Sequence, residues 1–195
     1  MRWIMKLLEE KIQKDARLLE GNIVKVDSFL NHQLDVAFLD KLAEEFAKYF
    51  SKRGINKILT IEASGIALAV LLSKHMDDIP VVFAKKAKSL NIGDDVFTSS
   101  VESFTYKKEY TITVSKKYLS QNDKLVIVDD FLAEGMAMKG LIDVAKQAGS
   151  QILGLGVAIE KGFQKGGKFL RQEGYDLCSL AIIDEIKEDG IVFRK

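Results

Sequence analysis

The chain is poor in the residues that carry covalent or metal chemistry. Its single cysteine, Cys178, excludes an internal disulfide framework and fits a reducing compartment. The two histidines, His32 and His75, are far apart, and no metal-binding cluster is visible. Pro80 is the only proline, and no proline-rich linker, repeat or low-complexity tract divides the 195 residues. No apolar run approaches the ~18 residues of a membrane span. The opening residues, Met1-Arg2-Trp3-Ile4-Met5-Lys6, lack the long apolar core of a signal peptide. Neither sign of charge dominates: the net charge of +1 gives no electrostatic reason to expect nucleic acid. These absences lead us to expect a cytoplasmic protein of one domain, residues 1–195, that binds neither membrane nor nucleic acid.

What the chain does have is an ordinary globular balance, 47% hydrophobic and 29% charged residues, enough for a substantial core. The stretch from Lys124 to Gly149 is the most informative. Leu125-Val126-Ile127-Val128 is a short apolar run rich in β-branched residues, the pattern of a strand buried on both faces. Asp129 and Asp130 follow it at once. A small-residue turn comes next, Ala133-Glu134-Gly135-Met136-Ala137, and then a helix with Met138, Leu141, Ile142 and Ala145 on one face. A helix N-terminus with a glycine beside it suits a phosphate, and two adjacent carboxylates suit a pair of hydroxyls. Together they describe a site for a ribose 5-phosphate group. A buried strand ending in Asp-Asp also occurs in receiver domains and metal-dependent hydrolases. In a receiver domain most of the sheet would still have to follow, and only 65 residues remain after Asp130.

The unit has a counterpart upstream. Lys57 to Ile61 reads as a strand, Glu62-Ala63-Ser64-Gly65 as a tight turn, and the residues up to His75 as a helix. Other stretches read as a helix over 2–18 ended by Gly21-Asn22, a strand-like start at Ile23 running into a polar turn, and a helix from Asp35 to Arg53 capped by Gly54. A strand over Pro80–Ala84 leads to Lys85, Lys86 and Lys88, which by themselves describe a solvated basic turn. Leu90 to Tyr106 is polar and weakly periodic, a structureless stretch of the kind that serves as a lid. Strands are expected over 109–115, 151–160, 175–180 and 191–193, with a helix over 163–173 weakened by Gly166-Gly167. Alternating strands and helices imply an α/β fold with a mainly parallel, twisted sheet flanked by helices.

The VDDFLAEG segment, the Ala63-Ser64-Gly65 turn, and the segments KVDSFLNHQ, FAKKAKSL and AIEKGF together resemble the type I phosphoribosyltransferases, and among them the xanthine-using bacterial members. The resemblance covers about Leu19 to Phe193. It departs from the usual signature in having no Thr or Ser in the 133–137 loop, where Glu134 brings a carboxylate instead. It implies binding of 5-phosphoribosyl 1-pyrophosphate by Asp129, Asp130 and residues Ala133, Glu134, Gly135, Met136 and Ala137. It assigns the pyrophosphate to Glu62, Ala63, Ser64 and Gly65, and a flexible loop to Lys85, Lys86 and Lys88. A small hood, formed by about residues 1–35 and the C-terminal strands, would cover the purine, with Val24, Asn31 and Lys161 at xanthine. It further implies Mg²⁺ carried by the donor substrate, a homodimer, and no acid–base catalyst. Another purine (hypoxanthine, guanine or adenine), or a non-catalytic regulator of the same fold, are the alternatives.

Overall fold

The computed structural model describes residues 5–19, 23–86, 95–103, 108–187 and 190–195. Six strands form the central sheet: β3 (Lys57–Ile61), β4 (Val81–Ala84), β7 (Lys124–Leu132), β8 (Gln151–Lys161), β9 (Leu177–Lys187) and β10 (Gly190–Phe193), in the order β10-β9-β8-β7-β3-β4. Every neighbouring pair is parallel except β10 with β9. From β3 the chain moves outward to β4 on one side, and from β7 outward through β8 and β9 on the other. The adjacent strands β3 and β7 therefore mark the point where the winding reverses, which is where open α/β sheets bind ligands.

Strand β7 shows why the sheet is buried on both faces. Val126 and Val128 join the core beneath α2 (Val36–Phe50) and α3 (Ser64–Lys74), while Leu125 and Ile127 join the core beneath α4 (Met136–Gln147). Helix α2 begins where the Asp35 carboxylate accepts the Phe38 N–H at 3.1 Å, and it stops at Ser51, so Gly54 is not its cap. Its Phe46 and Phe50 lie flat against β8, and the strand makes room with glycine. A methyl group at Gly154 would stand 2.4 Å from a Phe50 ring carbon, and one at Gly156 would stand 3.1 Å from Phe46.

The sheet departs from the sequence expectation in several places. The first helix, α1, covers only Lys6–Asp15, because β1 (Arg17–Leu19) turns away to pair antiparallel with β2 (Ile23–Lys25). The polar turn that follows is a π-helical turn, Asp27–Asn31, anchored by buried Phe29 and Leu30. Strand β7 continues through both carboxylates to Leu132 rather than ending before them. Strand β9 runs eleven residues, through Lys187.

The largest correction concerns residues Val96–Ser103 of the stretch Leu90–Tyr106, which are not structureless. Strand β5 (Val96–Ser103) pairs antiparallel with β6 (Lys108–Ser115). One face of this hairpin packs on α4, with Val101, Ile112 and Val114 almost fully buried. A methyl group at Gly140 of α4 would meet Val101 at 2.5 Å. The opposite face carries Thr98, Ser100, Thr111 and Thr113, and that polar half hid the alternation. Lys85 and Thr113 exchange main-chain hydrogen bonds of 3.0 and 2.9 Å, which tie the hairpin to the end of β4. Lys88 and the tip of the expected lid lie outside the described residues. Helix α5 (Lys165–Gln172) completes the layer beside α4.

The contact of α2 with β8 allows a direct check. Gly154→Ala should force the Phe50 ring off its seat and lower unfolding free energy by about 1–3 kcal/mol, as overpacking does. Urea denaturation measures it, and an unchanged midpoint would show that the ring moves aside freely.

Candidate active site

Three features meet at the reversal point between β3 and β7: two loops and the acidic pair carried by β7. The first is the turn after β3. Glu62 accepts the Lys86 N–H at 2.5 Å, and its own N–H bonds to the Ala84 carbonyl at 3.1 Å, so the ends of β3 and β4 are clamped together. The Glu62–Ala63 peptide is cis. Helix α3 starts at Ser64, and Gly65 in its first turn approaches β3 and β7 very closely. A methyl group there would stand 2.2 Å from Thr60 Oγ1 and 3.1 Å from Asp129 Oδ1. Thr60 in turn donates to the Val128 carbonyl at 2.8 Å. Only glycine lets the α3 N-terminus come this near to Asp129.

The second element is the acidic pair. Asp129 and Asp130 are each only 7% exposed. The main chain satisfies part of their acceptor capacity: Asp130 N–H bonds Asp129 Oδ1 at 2.9 Å, and Phe131 N–H bonds Asp130 Oδ1 at 2.9 Å. Asn31 Nδ2 of the hood reaches Asp130 Oδ2 at 3.3 Å. Burial, and then the charge of Asp130, push the Asp129 carboxyl well above its ordinary range, while the Lys86 charge partly offsets them.

The third element is the loop that opens α4. Gly135 adopts a left-handed conformation, φ +83°, and α4 begins at Met136. The first N–H groups of a helix have no intrahelical partner, so Met136 and Ala137 offer donors and the positive end of the helix dipole. Glu134 is half-buried in this loop. The loop does not stand alone. Gly166 N–H of α5 donates to the Ala133 carbonyl at 3.1 Å, and a methyl group at Gly166 would stand 2.4 Å from that oxygen and 2.8 Å from Gly135 N.

The residues expected at the base are placed as follows. Asn31 projects from the π-helical turn to the acidic pair. Val24 sits in β2 with its side chain in the core, so it offers only its main chain. Lys161 ends β8, and burial pulls its ammonium pKa downward. Of the basic loop, Lys86 acts on Asp129 and lies 5.7 Å from the Tyr110 ring centroid, whereas Lys85 contributes the bridge to Thr113. Among the described residues no three His, Cys, Asp or Glu side chains are grouped as a metal cage.

Sequence reasoning missed the group just behind Lys161. Glu160 is 2% exposed and is held by Arg171 Nη1 and Nη2, each at 2.8 Å, and by the Ser179 hydroxyl. Burial alone would raise its pKa, but the guanidinium and hydroxyl outweigh it and hold the carboxyl below its ordinary value. The only sequence signal was Gly166-Gly167, which reads as a weak helix and is in fact a close approach on both sides. A methyl group at Gly167 would stand 2.0 Å from Glu160 Oε1.

Two helix starts, each offering unpaired N–H donors, flank a buried acidic pair at the reversal of a parallel sheet. The phosphoribosyl transferase domain model matches residues 25–187, and the chain belongs to that family. It is 54% identical over 190 residues to xanthine phosphoribosyltransferase 2 of Clostridium botulinum, covering 97% of this chain and 100% of that protein. Xanthine phosphoribosyltransferase of Bifidobacterium longum is 50% identical over 192 residues, with 97% and 100% covered. Among solved structures, adenine phosphoribosyltransferase of Thermoanaerobacter pseudethanolicus has a TM-score of 0.72 at 22% identity, covering 90% of this chain and 98% of its own. That of Trypanosoma brucei has a TM-score of 0.74 at 17% identity, with 90% and 78% covered. At these identities the two structures establish the fold, which is the type I arrangement.

The raised pKa of Asp129 has a measurable consequence. A carboxyl whose folded pKa lies above its ordinary 3.8 opposes folding once ionised, so stability is lost as pH rises from that value through the folded pKa. Asp129→Asn should therefore raise the thermal midpoint of the ligand-free protein at neutral pH. The gain should fade as pH is lowered toward 3.8. A lower midpoint at neutral pH would mean that the carboxylate is compensated rather than strained.

Proposed function

We propose that this chain transfers the phosphoribosyl group of 5-phosphoribosyl 1-pyrophosphate to N9 of xanthine, giving xanthosine 5′-monophosphate and pyrophosphate. The observation that carries the reading is the convergence of the 62–65 turn and the 133–137 loop on Asp129 and Asp130, together with near full-length identity of about half to proteins named for this reaction.

In this reading the 5-phosphate rests on the Gly135–Ala137 donors and the pyrophosphate on the Ser64–Gly65 start of α3. Asp129 and Asp130 accept hydrogen bonds from the ribose 2- and 3-hydroxyls. The donor would arrive as its Mg²⁺ complex, a cation whose charge would suit the buried pair Asp129 and Asp130. The bond from C1 to pyrophosphate breaks with its electron pair leaving on the pyrophosphate, and N9 supplies the pair for the new bond as its proton departs. No side chain is assigned to the proton. Rate comes from holding the reacting atoms in line and from stabilising the departing charge with loop N–H groups and Lys86. The protein acts as a homodimer in the cytoplasm, in purine salvage, as the sequence resemblance implies.

The choice of purine follows from donors and acceptors. Xanthine carries oxygens at C2 and C6. The Lys161 ammonium suits such an oxygen, and the Asn31 amide suits the second oxygen and the adjacent N–H. Adenine would set its amine against the ammonium. A site built to hydrogen-bond a group rejects analogues that lack it.

Pyrophosphate release measured over a purine panel should show xanthine first, guanine and hypoxanthine well behind, and adenine inactive. Best activity with adenine would overturn the base assignment, and no release with any purine would point to a regulator. Lys161→Ala should raise the purine KM about tenfold to a hundredfold, the worth of one charge-assisted hydrogen bond, with the donor KM nearly unchanged. A donor KM that moves instead would place Lys161 at the phosphates.

A further inference from the structure

We propose that Arg171 is a positioning residue that sets the phosphoribosyl loop and the purine lysine together, through its ion pair with Glu160. The proposal rests on the phosphoribosyl-transfer reading above, and it gives a role to a buried group that the reading leaves unused.

The geometry is that of a wedge. The first turn of α5 is squeezed between the 133–135 main chain, which Gly166 touches, and the Glu160 carboxylate, which Gly167 touches. Neither glycine could accept even a methyl group without displacing its neighbour, so any shift of α5 is transmitted to the loop. A direct tie is the 3.1 Å hydrogen bond from Gly166 to the Ala133 carbonyl. Buried Leu170 seats α5 in the core, and Arg171 beside it locks the helix to β8, its fork closing on both oxygens of Glu160 at 2.8 Å.

Glu160 is itself bound into the sheet. It is in register with Leu132 of β7, the residue before the phosphate loop, and with Ile182 of β9. It also accepts the Ser179 hydroxyl of β9. The next residue along β8 is Lys161. One ion pair therefore links α5, and through it the loop carbonyl, to the strand end that carries the purine lysine. Arg171 is 37% exposed at its side chain and Glu160 only 2%, so the guanidinium is a lid on a carboxylate that has no access to water of its own.

An ion pair that served only to hold the fold would have the same geometry, and the test is designed to separate the two roles. Arg171→Met leaves a buried carboxylate unpaired and can cost folding outright. The double variant Glu160→Gln/Arg171→Met removes that uncompensated charge, and its glutamine still accepts from Ser179. Thermal midpoints, steady-state KM for both substrates, and calorimetric affinity for the Mg²⁺ complex of 5-phosphoribosyl 1-pyrophosphate would be compared with those of the wild-type protein.

We expect the double variant to recover most of the midpoint lost in Arg171→Met, yet to keep both KM values raised by about tenfold or more, since small misplacements of binding groups are costly. Donor affinity should fall in parallel, and kcat should fall less than the KM values rise. Arg171→Lys, which restores charge but not the fork, should recover part of both affinities. A double variant with wild-type KM values and donor affinity would overturn the proposal and leave a purely structural pair. Should the wild-type protein bind the donor but turn over no xanthine, the xanthine reading fails, while the comparison of donor affinities still decides the role of Arg171.

Discussion

Two neighbouring carboxylates placed inside a buried strand are the constraint on which this structure depends. Water cannot solvate them fully, and burial together with the charge of Asp130 raises the cost of ionising Asp129. The surrounding architecture can be understood as the means of making that arrangement tolerable. Main-chain N–H groups of the same strand satisfy one oxygen of each. Asn31 reaches from the hood to Asp130, and Lys86 adds a compensating charge from the end of β4. The N-terminus of α3 is brought within contact of Asp129 by a glycine that no other residue could replace without clash.

The same principle, close approach permitted by missing side chains, recurs around the site. Gly65, Gly135, Gly166 and Gly167 each stand where a methyl group would meet main chain, hydroxyl or carboxylate at 3.0 Å or less. They bring three helix starts, those of α3, α4 and α5, onto the carboxyl ends of β3, β7 and β8. The consequence is a rigid cluster in which phosphate loop, acidic pair and strand-end lysine share neighbours. Glu160 occupies the centre of this packing, and its ionised state is maintained by Arg171 and Ser179 against the cost of burial.

Much of this was legible in the sequence, for identifiable reasons. The β7–α4 unit announced itself because Leu125–Val128 has no polar alternation and the helix after it has a clear apolar face. The β3–α3 unit could be found because it repeats the device. The strand order could not be read, since it depends on contacts between residues far apart in the chain. Strand β5 was hidden because its outward Thr and Ser residues dilute the pattern set by Phe97, Ser99 and Val101. The end of the first helix was misplaced because pairing of Leu18 with Val24 overrides helical propensity beyond Asp15. The Glu160–Arg171–Ser179 group joins residues 11 and 19 positions apart on a strand, a helix and another strand, and no local spacing signals it.

The central claim is that the acidic pair at the β3–β7 reversal receives the ribose of the donor. Calorimetric titration with 5-phosphoribosyl 1-pyrophosphate and Mg²⁺, in mildly acidic buffers of different ionisation enthalpy, tests it most directly. Burial and the charge of Asp130 raise the Asp129 pKa, so donor hydroxyls that stabilise its carboxylate should drive net proton release on binding. The account therefore predicts one donor bound per chain, net proton release that disappears in Asp129→Asn, and an affinity lower by about tenfold to a hundredfold in Asp130→Asn. Donor binding of unchanged strength in both variants, with no proton released, would contradict it.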